Sequence, residues 1–109
     1  MAYSESLAAR LREHFQGRSD IVEKKMFGGV AFMLNGHMCV GINEDMLMAR
    51  VGPDRYEEAL SRPHAGEMDF TGRSLKGFVY VGPEGIESDE ALSGWISLCE
   101  AFISTLPPK

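Results

Sequence analysis

His37 and Cys39 stand two residues apart in an apolar run, a spacing that would set an imidazole and a thiol on one face of a strand. A thiolate nucleophile needs a base that is itself oriented by a third group, and no such group accompanies this pair. Glu67 and Asp69 share a strand face in the same way, but paired carboxylates do acid–base work only in a cleft, and nothing around them signals one. Ser74 and Ser88 lack the strand-to-helix elbow of a hydrolase nucleophile. His14, His37 and His64 fall on a helix end, a hairpin and a loop, without a second ligand at a metal-binding offset. Gly28-Gly29 has neither the third glycine nor the strand-to-helix turn of a phosphate-cradling loop. Flanked by strand residues, the two glycines instead predict a bulge or a close approach by a helix or another backbone. The residues therefore assign no catalytic group, no metal site and no cofactor.

One positive cluster has binding potential. Arg73 and Lys76, joined by Lys24, Lys25 and Arg50 if the sheet brings those strands together, could contact an anion or an acidic partner. The competing reading is a solvated rim, since lysines at strand ends discourage edge-to-edge aggregation. The chain carries 11 Lys plus Arg against 16 Asp plus Glu, a net charge of −5, which disfavours nucleic acid as an autonomous ligand. Seven methionines include Met33, Met38, Met46 and Met48 in one stretch, where flexible thioethers would make either core filling or an adaptable partner surface.

The elements that hold these residues follow from periodicity. Leu7, Ala8, Leu11 and Phe15 form a helical stripe after an N-cap at Ser4, ended by Gly17. The run Lys25–Leu34 reads as a strand, Asn35-Gly36 as a type I′ hairpin turn, and Met38–Ile42 and Met46–Val51 as the next two strands of a meander. Apolar residues on both faces of the first strand leave one face, with Phe27, Ala31 and Met33, in need of cover, and a homodimer interface is one way to supply it. A short helix is expected from Pro53 or Asp54 to Leu60, with Asp54 and Glu57 spaced as a capping box. Strands are expected at Glu67–Phe70 and Gly77–Val81, connected by Thr71–Lys76. A last helix capped by Ser88 carries Leu92, Trp95, Ile96, Cys99, Phe102 and Ile103. The order is α-β(3)-α-β(2)-α, a two-layer α+β fold with a mainly antiparallel five-stranded sheet.

A chain of 109 residues with 44% hydrophobic and 25% charged residues is expected to form one domain over residues 1–109, with a core that needs no staples. Cys39 and Cys99 read as small apolar core residues of a protein from a reducing compartment. The absence of a signal-like or membrane-spanning run makes the cytoplasm the expected location and excludes a membrane partner.

The segment Lys25-Met26-Phe27-Gly28-Gly29-Val30, the Asn35-Gly36 hairpin, the later Phe70-Thr71-Gly72-Arg73-Ser74-Leu75-Lys76-Gly77-Phe78-Val79-Tyr80-Val81 and the Trp95 helix together resemble the N-terminal domain of the TfoX/Sxy family of bacterial competence regulators. The likeness covers nearly the whole chain, and its motif positions are Met26, Phe27, Gly28, Gly29, Gly72, Gly77 and Trp95. It implies a fold similar to type III secretion chaperones and a stand-alone, non-enzymatic regulatory module. Its implied partners are a second copy and a protein of the transcription machinery such as the cyclic-AMP receptor protein. The alternatives are a small anion- or nucleic-acid-binding domain using Arg73, Lys76, Lys25 and Arg50, or a small enzyme with an unrecognised site.

Overall fold

A computed structural model describes residues 4–26, 29–70 and 73–107, and for residues 26, 68–70 and 73–76 the backbone alone. Helix α1 spans Glu5–His14; the Ser4 hydroxyl accepts from the Leu7 amide at 3.1 Å, and Gly17 turns the chain away with φ +83°. Strands β1 (Ile21–Met26), β2 (Gly29–Leu34), β3 (His37–Asn43) and β4 (Met46–Arg50) follow as a meander. Asn35 and Gly36 both take positive φ between β2 and β3, as a type I′ turn requires. A 3-10 turn at Pro53–Arg55 leads into α2 (Tyr56–Leu60), then come β5 (Ala65–Phe70), β6 (Arg73–Val81), a second 3-10 turn at Pro83–Ile86 and α3 (Asp89–Ile103), whose N-cap Ser88 accepts from the Ala91 amide. The strands form one sheet in the order β1-β2-β3-β4-β6-β5, with every neighbouring pair antiparallel.

Among the described residues the sheet thus has six strands rather than the expected five. The run Lys25–Leu34 is not one strand: Met26 and Gly29 are register partners, so the chain reverses between them. The extra strand escaped the hydrophobic pattern because Val22, Glu23, Lys24 and Lys25 are all exposed, and an edge strand with polar residues on both faces has no apolar alternation to detect. Strand β6 also begins earlier than expected, at Arg73, so Arg73 and Lys76 belong to a strand and not to its connection. The capping box at Asp54 does not form. Gly52, with φ +88°, stands at the N-cap of the Pro53–Arg55 turn without a side-chain bond, and α2 opens only at Tyr56.

The three helices cover one face of the sheet. Leu7 and Leu11 of α1, Tyr56 and Ala59 of α2, and Trp95, Ile96, Cys99 and Ile103 of α3 share a single buried cluster with Phe32, Val40, Ile42, Leu47, Ala49, Val79 and Val81. A bulge sits where β2 meets β3: Phe32 pairs with Val40 and Met33 with Met38, leaving Cys39 as the extra residue. Cys39 and Val40 consequently both enter the helix-side core, while Met38 packs on the opposite face.

Candidate interaction surface

The helix-free face carries a second, smaller apolar cluster in which Ala31, Met38 and Met48 are buried and Met33, Phe78 and Tyr80 are packed against them. Gly41 makes room for it. A Cβ there would lie 2.8 Å from the Met48 methyl and 3.2 Å from the Met38 methyl, so both thioethers fold over bare backbone. Part of the cover for this face thus comes from the chain's own flexible side chains. Among the described residues, the one large hydrophobic side chain left exposed is Val22, at 53%, on β1.

Two of the candidate cations, Lys25 and Arg50, stand apart. Lys25 is exposed on edge strand β1, whereas Arg50 ends β4, three strand spacings or about 14 Å across the sheet. Arg50 is half-buried, with its guanidinium 5.4 Å from the Phe78 ring centroid and 5.5 Å from that of Phe102, and it donates to the Met38 carbonyl at 3.5 Å. Its charge therefore clamps the end of the sheet. Arg73 and Lys76 lie on β6, the strand beside β4, where Arg50 pairs with Phe78; their side chains are outside the described residues. So are Phe27, Gly28, Gly72 and the Met26 side chain.

The remaining motif residues are structural. Gly29 approaches the Ile42 carbonyl so closely that a Cβ would overlap it, a backbone approach being one of the alternatives its sequence context offers. Gly77, at φ +93°, turns its carbonyl to accept from both the Val51 and Gly52 amides, at 2.8 and 3.1 Å. Trp95 is 4% exposed and carries the Arg62 guanidinium 5.2 Å above its ring. Arg62, His64, Glu84 and Trp95 line an open groove of about 610 Å³, whose rim mixes both signs of charge.

Potentially reactive groups are chemically quiet. Cys39 and Cys99 are buried side by side between β3 and α3, and burial together with the neighbouring thiol pushes the Cys99 thiol well up, away from the reactive thiolate. His37 meets the Pro107 carbonyl at 2.6 Å, and His64 is 3.9 Å from Glu84. No group of three potential metal ligands occurs among the described residues. Ion pairs that sequence reasoning missed tie the periphery together: Arg12 meets both Glu23 oxygens at 2.9 and 2.7 Å, and Arg18 bridges Asp20 and Glu100. They join residues far apart in the chain or across a turn, so no helical spacing announces them.

The model of the TfoX N-terminal domain matches residues 13–103. The chain belongs to the TfoX N-terminal domain family. The match runs from the last two residues of α1 to the end of α3 and takes in the whole sheet, so the family's pattern is the fold itself and not a local motif. No curated protein and no solved structure matches the chain. No helix among the described residues is long and apolar enough to cross a membrane.

Proposed function

We propose that this TfoX N-terminal domain is a regulatory module that works by contact with other proteins, a component of the transcription machinery and a second copy of itself among them, and that it performs no catalysis. Membership of the family over residues 13–103 carries this reading. The chemistry of the side chains supports it: the thiols are buried, Arg10, Arg12, Arg18 and Arg62 stand in ion pairs, and Arg50 is held between two rings. An anion site built from Lys25 and Arg50 together would have to span β1 to β4, which supports the protein-contact reading over an anion site that uses both.

The test is affinity capture of the tagged protein from its own cells, with nuclease added. Retention of a transcription regulator or polymerase component after nuclease treatment is expected. Recovery of nucleic acid alone, lost as salt rises, would overturn the reading in favour of a phosphate-binding domain.

A further inference from the structure

We propose that the open edge of β1 pairs antiparallel with β1 of a second copy, continuing the sheet across a two-fold axis at Lys24. The inference rests on the self-association in the reading above and assigns it a surface. Strand β1 ends the sheet, its only strand partner among the described residues is β2, and Val22, Glu23, Lys24 and Lys25 are exposed on both faces. Such an edge presents a row of backbone donors and acceptors ready for another strand. The most exposed large apolar side chain among the described residues, Val22, lies on this same strand.

Charge selects the register. A two-fold axis perpendicular to the sheet keeps every residue on its own face, so opposed residues must have the same parity and the axis must pass through a residue. An axis at Glu23 opposes two carboxylates and sets Val22 against lysine. One at Lys25 opposes two lysines and sets Lys24 against Met26. With the axis at Lys24, Glu23 faces Lys25 of the second copy twice, and Val22 faces position Met26 twice. The one like-charge contact, between the two copies of Lys24, lies in solvent and is screened by salt. Lysines on an edge ordinarily keep edges apart; of the axes through Glu23, Lys24 and Lys25, the one at Lys24 is where the order Glu-Lys-Lys makes this edge complementary to itself. Glu23 is already held in place by Arg12.

Light scattering at tens of micromolar tests the pairing. Twice the 12.0 kDa chain mass is expected for the native protein. Lys25→Glu and Glu23→Lys should each weaken the dimer at least tenfold while leaving the far-UV circular dichroism unchanged. Mixing the two variants should restore it, because the introduced charges then oppose each other and the native Glu23–Lys25 pair survives. Lys24→Cys should cross-link to itself under mild oxidant. A monomeric native protein, or a dimer that survives Lys25→Glu and breaks with Met33→Lys on the helix-free face, would overturn the proposal. A monomer that still retains a captured regulator would remove the β1 pairing and leave the protein-contact reading standing.

Discussion

The α-carbon of Gly29 rests against the backbone carbonyl of Ile42, with no room between them for a methyl group. Gly29 opens β2 and Ile42 lies near the end of β3, so this contact sets how closely the two strands approach at their shared end. Because the obstructing atom is backbone, it cannot swing aside as a side chain would. Gly29→Ala should therefore lower the unfolding free energy by about 1–3 kcal/mol, the usual cost of overpacking, read as a shift in the urea midpoint.

Arg18 joins the start of the sheet to the last helix through Asp20 and Glu100. These side chains are about one-third exposed, so solvent screening limits the effect of Arg18→Ala to about 0.5–1 kcal/mol, reduced further by salt.

The same pairs shape the acid limb of stability. Arg18 holds the Asp20 carboxyl below the usual carboxylate range, and Arg12 does so for Glu23. A depressed folded-state value stabilises the fold above the unfolded carboxylate range near ~4, and that contribution disappears as pH falls through the folded value. Urea titrations between pH 6 and pH 2 should show stability falling with acid, and Arg12→Ala should flatten that slope.

Cys99 predicts the opposite limb. Its raised thiol value means that the unfolded chain loses the proton first, so its contribution to stability is present below the unfolded thiol value near ~8.5 and declines as pH rises beyond it. A thiol reagent at neutral pH should leave Cys39 and Cys99 unmodified in the folded protein and label both in denaturant. Replacement of Cys99 by Ala should make the alkaline decline shallower.

Met48 is fully buried on the face that no helix covers. Met48→Ala should cost about 2–5 kcal/mol in urea unfolding, the range for truncating a core side chain, whereas Met46→Ala on the same strand should cost much less because Met46 is only half-buried.

What the sequence revealed depended on whether a segment had one buried face. The Leu7–Phe15 stripe, the Asn35-Gly36 turn and the Ser88 cap each express a local rule, and each stands in the structure where that rule puts it. Strand β1 follows no such rule, since Val22, Glu23, Lys24 and Lys25 are exposed on both of its faces and its place is set by pairing with β2. The capping box at Asp54 failed because the tight turn from Gly52 into Pro53 set the backbone first. At the candidate surface, Arg50 stands on the strand its context predicts, whereas Lys25 belongs to the edge strand β1 and not to the strand of Gly29–Leu34, and strand order, which composition does not encode, separates the two. The clamp of Arg50 between Phe78 and Phe102 needs three elements to converge, and no spacing along the chain announces it.

The order of the strands also has a bearing on how the chain reaches this fold. From β1 to β4 every pairing is between neighbours in sequence, whereas β4 is joined to β6, with Leu47 opposite Val81 and Arg50 opposite Phe78. Hairpins close quickly because little chain entropy is lost, while this seam must wait for the intervening chain to compact. The two hairpin systems, β1–β4 and β5–β6, are therefore the natural early units, and the β4–β6 seam is the joint along which the sheet would part first under force or partial denaturation. Slowed amide exchange should appear within the meander before it appears across that seam during refolding.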